Sequence, residues 1–126
     1  MPGFAMAFNI GKTNEERIEA FEMYQQAFNA KKIAEAAPPN GGDLHIVMDL
    51  DGVKILLAPG GKVEKIIENA MCCEFTFHSE SDLKRAYHIL SAQCLRCSLE
   101  GPFPWATLLG LVVDKFGVCW ALYTNE

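Results

Sequence analysis

A nine-residue pattern that occurs twice constrains the fold of this 126-residue chain more than any other feature. Asp49-Leu-Asp-Gly52-Val53-Lys-Ile-Leu-Leu57 returns half a chain length later as Asp114-Lys-Phe-Gly117-Val118-Cys-Trp-Ala-Leu122. An apolar run precedes each copy, and glycine supplies turn backbone angles that other residues resist. Each half of the chain is therefore predicted to end in a β-hairpin, and the chain to be internally duplicated.

Composition and charge exclude several classes of protein. Half of the residues are hydrophobic and 21% are charged, which is typical of a globular domain rather than a disordered chain. The net charge of −5 with no basic run argues against nucleic-acid binding. No apolar stretch approaches the roughly 20 residues that span a bilayer, and the first residues do not resemble a secretory signal. We expect a cytoplasmic protein with no membrane or nucleic-acid partner.

Hydrophobic periodicity predicts the same order of elements in both halves. In the first half we expect a strand over 4–10, a helix over 13–28 with a capping box at Thr13-Asn-Glu-Glu16, and strands over 31–36, 44–50 and 53–58. In the second half we expect a strand over 72–78, a helix from Ser79 or Ser81 to about Gln93, and strands over 95–100, 106–113 and 118–123. Residues 59–69 are predicted to connect the halves. The helices should bury Ile18, Phe21, Tyr24 and Phe28, and Leu83, Ala86, Tyr87 and Leu90.

These elements predict an α+β fold of two tandem βαβββ modules, over about 4–58 and 72–123, related by pseudo-two-fold symmetry. A single module would leave one sheet face exposed to water. We therefore expect the two sheets to pack together, or to curl around a shared apolar cleft, within a single domain over 1–126.

The five cysteines are an odd number, and in a cytosol they are expected to remain reduced and to pack as small hydrophobes. Cys94-Leu-Arg-Cys97 has the spacing of a redox motif or of half a zinc site, and Cys72-Cys73 offers two more thiols. Adjacent residues on a strand point to opposite faces, however, so both cannot easily reach one ion. Structural thiols are the favoured interpretation.

Two segments resemble the vicinal oxygen chelate superfamily, which includes glyoxalase I, bleomycin-resistance proteins and ring-cleaving dioxygenases. Glu19-Ala-Phe-Glu-Met-Tyr-Gln-Gln-Ala-Phe28 is similar to the E-A-L-E-F-Y-x-x-A-F helix of its PhnB-like branch. Trp105 through Asp114-Lys-Phe-Gly117-Val118-Cys-Trp120 is similar to the closing W…D-K-F-G-V-x-W segment of that branch. His45 matches a histidine that members often carry at the start of the third strand. The resemblance implies the glyoxalase/bleomycin-resistance-type fold.

The resemblance also tells where a metal site would lie. Metal-dependent relatives place four ligands on the first and last strands of the two modules, and those positions here are Ala5, Leu56, Glu74 and Ala121. Alanine and leucine offer no lone pair, and one carboxylate does not hold a divalent ion that needs at least three protein ligands. We expect no metal and no other cofactor.

The alternation of the strands predicts a binding site instead of a metal site. Ala121 and Tyr123 should face the same space as Glu74, with Trp105 and His45 near it, and such a mixture suits a small apolar or aromatic ligand. His45 can equally be a hydrogen-bonded structural histidine. If Glu74 is buried, its pKa would be raised and it could act as a base. The alternative is that Glu74 faces solvent or a partner subunit. Catalytic residues are otherwise unknown.

The favoured function is therefore metal-free binding of a small molecule, by a homodimer because open sheet edges tend to be covered. A divalent-metal-dependent lyase or isomerase of the glyoxalase type is one alternative. The other alternative is a vestigial cleft whose fold serves only dimerisation or interaction with another protein.

Overall fold

The computed structural model describes residues 3–37, 39–60 and 70–126. These residues lie in two compact units, the first within Met1–Val63 and the second within Glu64–Glu126. Both units have the order strand, helix, three strands, so the predicted α+β fold of two similar βαβββ modules is confirmed. Most of the predicted connection between the halves lies outside the described residues, and the single domain stays a prediction.

All ten predicted elements are present, and most of their ends differ from the predicted ones by one or two residues. The first unit contains β1 (Met6–Ile10), α1 (Asn14–Phe28), β2 (Lys31–Ala36), β3 (His45–Leu50) and β4 (Val53–Pro59). The second unit contains β5 (Cys73–Thr76), α2 (Glu80–Leu90), β6 (Arg96–Glu100), β7 (Leu108–Val113) and β8 (Cys119–Thr124). Among the described residues, neither helix is long and apolar enough to cross a membrane.

Each unit builds one four-stranded sheet with the same strand order. The first sheet runs β1-β4-β3-β2, and the second runs β5-β8-β7-β6. In both sheets the first strand is parallel to the last strand of its unit, and the remaining pairs are antiparallel. The hairpin of each unit therefore forms the middle of its sheet, and β2 and β6 form one edge each.

Helix α1 covers one face of the first sheet. The ring of Tyr24 packs edge-on against the ring of Phe8 on β1, with 6.1 Å between the ring centres. Sheet residues on this face are buried, among them Ile10, Ile46, Met48, Ile55 and Leu57. The predicted inner face of α1 needs one correction, because Ile18 is 43% exposed while Arg17 is fully buried.

The buried Arg17 fastens the start of α1 to the end of β1. Its guanidinium donates to the backbone oxygens of Ile10 at 3.0 Å and Gly11 at 3.2 Å, and to Asn14 Oδ1 at 2.7 Å. Asn14 Oδ1 also accepts from the backbone N–H of Leu44 at 2.8 Å, just before β3. Buried carbonyls at a strand end need donors, and a charged donor forms a stronger hydrogen bond than a neutral one. Arg17 is buried for that reason.

Helix α2 covers the equivalent face of the second sheet, where Val112, Trp120 and Leu122 are buried. Gly110 lies in this interface, because a Cβ atom built there would come within 3.1 Å of the Tyr87 ring. Leu83, Ala86 and Leu90 of α2 are buried as predicted, and Tyr87 is half-buried.

Serine and threonine side chains begin both helices. The Thr13 hydroxyl accepts from the backbone N–H of Glu16 at 3.2 Å, and the Ser79 hydroxyl accepts from that of Asp82 at 3.1 Å. The Glu16 carboxylate accepts from the N–H of Lys12 at 3.4 Å, one residue earlier than a capping box requires. The predicted helix starts are confirmed, but the Glu16 carboxylate accepts from the N–H of Lys12 and not from that of Thr13.

The two repeated glycines occupy corresponding hairpins, and both have a φ of 89°. Asp51 (φ 52°) and Gly52 form a two-residue turn between Leu50 and Val53, as in a type I′ hairpin. In the second hairpin, Gly117 N–H donates to Asp114 O and Asp114 N–H donates to Val118 O, both at 2.9 Å, which encloses a three-residue loop. The duplicated motif therefore makes a turn at the same place in both units, and the second turn is one residue longer than the first.

Asp114 is the fully buried centre of the second hairpin. Its Oδ1 accepts from the backbone N–H groups of Phe116 at 2.9 Å and Val118 at 3.0 Å, and its Oδ2 accepts from the Trp120 indole at 3.0 Å. The corresponding Asp49 is half-buried and accepts from Gly52 N–H at 3.4 Å. The two aspartates of the repeat thus differ in burial and in the number of hydrogen bonds that their carboxylates accept in the hairpin.

Replacing Asp114 with alanine should lower the free energy of unfolding by about 3–5 kcal/mol, because buried donors lose their acceptor. Asp49→Ala is the matched control and should cost about 1 kcal/mol or less, since its carboxylate is partly solvated. Urea unfolding of both variants measures the difference. Equal losses would contradict the assigned role of Asp114.

Candidate functional site

The face of the second sheet opposite α2, here called the open face, carries three of the predicted site residues. On neighbouring parallel strands Glu74 pairs with Ala121, and Thr76 pairs with Tyr123. The antiparallel register continues each row on β7, where Leu111 pairs with Ala121 and Leu109 pairs with Tyr123. Glu74, Ala121 and Tyr123 therefore lie on one surface, as the alternation predicts.

Burial differs across the open face. Ala121, Tyr123 and Leu109 are half-buried, whereas Glu74 is exposed and Leu111 is 40% exposed. Of the two environments considered for Glu74, a buried one and a solvent-exposed one, this unit shows the exposed one. The open face therefore combines the small apolar side chain of Ala121 with the aromatic ring of Tyr123, and the Glu74 carboxylate lies beside them.

Trp105 lies in the segment that leads into β7. Its ring stacks on Phe103 with 5.0 Å between ring centres and 9° between planes, and 62% of the residue is exposed. Thr107, two residues on, joins this segment to the end of β8, because its backbone N–H donates to Thr124 O at 2.9 Å. Trp105 is thus tethered near the Tyr123 end of β8.

His45 belongs to the first unit, at the start of β3, and is half-buried. Its Nδ1 lies 3.2 Å from the backbone oxygen of Asp43, a distance at which a protonated Nδ1 donates a hydrogen bond. This contact fits the structural interpretation of His45. A role in ligand binding stays a prediction.

The register of the first sheet corrects one of the four positions considered for metal binding. On the parallel strands β1 and β4 it is Ala7, not Ala5, that pairs with Leu56, as Glu74 pairs with Ala121. Ala5 precedes β1. The correction leaves the chemistry unchanged, since Ala5 and Ala7 are both alanines without a donor atom. Within residues 3–37, 39–60 and 70–126, no three His, Cys, Asp or Glu side chains group as a metal site would need.

Sequence reasoning missed the contribution of the edge strand β6. Arg96 pairs with Val113, Ser98 with Leu111, and Glu100 with Leu109, which continues the rows of the open face to the sheet edge. The signal was present in the alternation Arg96-x-Ser98-x-Glu100, but the face of an edge strand cannot be assigned without its register. The open face therefore carries an arginine and a second carboxylate besides Glu74.

Two sulfur atoms lie at one end of the same face. Cys119 Sγ donates to Cys72 Sγ at 2.8 Å. Burial of the Cys72 sulfur is the main cause that raises its pKa to about 12, followed by the hydrogen bond and charge of Cys119 and by the nearby Cys73 and Glu74. By its solvent-accessible area Cys72 is nevertheless an exposed residue. Cys73 pairs with Trp120 on the face that α2 covers, as expected for adjacent strand residues.

The C-x-x-C motif lies elsewhere, with Cys94 between α2 and β6 and Cys97 on β6. Burial and a hydrogen bond with Cys97 raise the pKa of Cys94. A hydrogen bond with Cys97, with burial second, raises the pKa of Tyr87 to about 12. Cys97 is thus hydrogen-bonded to both Tyr87 and Cys94, which agrees with the structural interpretation of the motif.

Known structures resemble the chain over nearly its whole length. The PhnB protein of Bacillus cereus has a TM-score of 0.75 at 18% identity, covering 98% of this chain and 99% of that one. FosX, a fosfomycin resistance protein of Listeria monocytogenes crystallised with Mn(II) and sulfate, has a TM-score of 0.63 at 14% identity, covering 100% and 92%. A glyoxylase/bleomycin resistance protein/dioxygenase domain of Frankia sp. has a TM-score of 0.65 at 14% identity, covering 100% and 99%.

No protein-family model matches the sequence, and no curated protein sequence matches it. At these identities the structural likeness establishes the fold alone, which is of the glyoxalase/bleomycin-resistance type. The predicted fold resemblance is thereby confirmed.

Proposed function

We propose that the chain binds a small apolar or aromatic molecule on the open face of the second sheet, without a metal ion. The observation that carries this proposal is the row Glu74–Ala121–Leu111 with Tyr123 and Leu109 beside it. A small residue between larger ones leaves room above the sheet, and an apolar floor with a few polar groups is typical of small-molecule sites.

The donor atoms of the chain support the metal-free part of the proposal. The positions that the resemblance assigns to metal ligands, with the observed register, hold Ala7, Leu56, Glu74 and Ala121. The fold itself accommodates divalent ions, because FosX was crystallised with Mn(II). In this chain, however, only one of these four side chains carries an oxygen atom that could coordinate a metal ion.

Charge favours a neutral or cationic ligand. Glu74 and Glu100 lie on the open face together with Arg96, and the whole chain has a net charge of −5. A ring of the ligand would stack on Tyr123 or Trp105, and Glu74 would accept a hydrogen bond from a donor group of the ligand.

We also propose that the chain is a homodimer that pairs along β6. Strand β6 lies at a sheet edge, and four of its five residues are exposed. Antiparallel pairing of two β6 strands around Ser98 would place Arg96 of each chain opposite Glu100 of the other, which is favourable at both ends. Strand β2, which forms the corresponding edge of the first sheet, carries two lysines and a register shift between Lys32 and Ala34, features that discourage pairing.

A substitution that fills the open face should weaken ligand binding and leave the fold intact. A thermal-shift screen over neutral and cationic aromatic metabolites first identifies a binding compound. Ala121→Leu should then weaken its affinity at least about tenfold, because the added side chain occupies the ligand's space. Ala92→Leu, at an exposed position after α2, is the matched control and should bind normally.

Two results would contradict the ligand proposal. If the best hits were polyanionic and kept their affinity in Glu74→Gln, the ligand would be bound somewhere other than this face. If no compound bound at all, the vestigial alternative would be favoured.

Metal binding is tested separately. Elemental analysis of the purified protein, and thermal shifts against Mn²⁺, Ni²⁺ and Zn²⁺, should show no stoichiometric ion and no stabilisation. A bound divalent ion held by at least three side chains would establish the metal-dependent alternative instead.

Charge reversal tests the dimer. Light scattering should give about twice the 14.0 kDa of one chain, and Glu100→Arg should weaken association about tenfold because two arginine pairs then face each other. The double variant Arg96→Glu/Glu100→Arg should restore the dimer, while Glu35→Arg on β2 should leave it unchanged. A wild-type protein of 14 kDa at micromolar concentration would refute the dimer, and a dimer unaffected by Glu100→Arg would refute the β6 interface.

A further inference from the structure

The Cys72 and Cys119 thiols are in direct contact on the second unit. Their sulfur atoms are 2.8 Å apart, and both cysteines are free thiols. We propose that this pair is a modification site, at which a low-molecular-weight disulfide oxidises the two thiols to a reversible intramolecular disulfide. The inference depends on the two thiols alone and does not require a ligand on the open face.

The backbone geometry suits such a bond. Because Cys73 pairs with Trp120 on the parallel strands β5 and β8, Cys72 lies beside Cys119 one residue earlier. Neighbouring strands are about 4.8 Å apart, within the range of about 4.4–6.8 Å that Cα atoms of disulfides span. The sulfur atoms already touch, so bond formation needs side-chain rotation rather than movement of the strands.

The neighbouring thiols are less suited to the same reaction. Cys73 follows Cys72 directly but faces α2, on the opposite side of the sheet from Cys119. Cys97 of the C-x-x-C motif is hydrogen-bonded to the Tyr87 hydroxyl as well as to Cys94. The structure therefore selects a pair that is 47 positions apart in the sequence rather than the motif with redox spacing.

The reaction is a balanced thiol–disulfide exchange. One protein thiol loses its proton to solvent and attacks a sulfur of the external disulfide, whose S–S bond breaks and releases one thiolate. The second protein thiol, after losing its proton, attacks the mixed disulfide, forms the Cys72–Cys119 bond and releases the other thiolate. Both released thiolates take up the two protons, so two protein thiols are oxidised and one external disulfide is reduced.

The surroundings of Cys72 make this disulfide slow to form and slow to break. Partial burial raises the pKa of Cys72 to about 12, and Cys119, Cys73 and Glu74 contribute to the same shift. A thiol with so high a pKa is rarely ionised at neutral pH, and its sulfur is a poor leaving group when a reductant attacks. The reaction is therefore best followed at mildly alkaline pH.

Peptide mapping of the full chain tests the proposal. The reduced protein is incubated with oxidised glutathione, free thiols are alkylated, and cross-linked peptides are identified by mass spectrometry. Wild type and Cys73→Ser should both lose two hydrogens and yield a peptide pair joined through Cys72 and Cys119. Cys72→Ser, the matched variant at the adjacent position, should yield no such pair.

A stability measurement gives a second readout. The melting temperature of the oxidised wild type should rise by roughly 10 °C and return after dithiothreitol treatment, because a long loop is closed. Cys72→Ser should show no such shift. A Cys73–Cys119 bond, a Cys94–Cys97 bond alone, or glutathione adducts without an internal bond would overturn the proposal. If Cys73→Ser fails to fold, fragmentation of the wild-type peptide between residues 72 and 73 decides the assignment.

Discussion

The buried carboxylate of Asp114 determines how the second unit is arranged. It binds the N–H groups of the turn through Oδ1 and the Trp120 indole through Oδ2 at 3.0 Å, so the turn and the start of β8 are held by one side chain. Once Trp120 points towards α2, alternation directs Cys119 and Ala121 to the open face. The proposed ligand site and the thiol pair both depend on that orientation.

The first unit reaches the same topology by different chemistry. Its hairpin turns at Asp51 and Gly52, both with positive φ, and Asp49, which corresponds to Asp114, is only half-buried. The main polar side-chain hydrogen bonds of this unit lie at the end of the sheet opposite the hairpin turn. There Arg17 and Asn14 join β1, α1 and the segment before β3. The two modules are similar in strand order but not in the interactions that stabilise them.

Prediction was accurate where a periodic pattern or a turn residue carried the information. The Thr13 cap and the bounds of β2 follow from such local signals. It failed at α1, because a charged residue such as Arg17 is read as exposed, and only the strand-end carbonyls explain its burial. It also placed Ala5 where Ala7 lies, since the register of parallel strands cannot be read from one strand.

The sequence by itself determined the duplication, the order of the elements and which strands alternate, because turn glycines, caps and apolar periods act over a few residues. Only the tertiary structure decided which side chains meet across strands. Arg96 and Glu100 join the open face through the register of β6, and Cys72 meets Cys119 through parallel pairing. These contacts join residues far apart in the chain, and strand register, which no local pattern encodes, sets them.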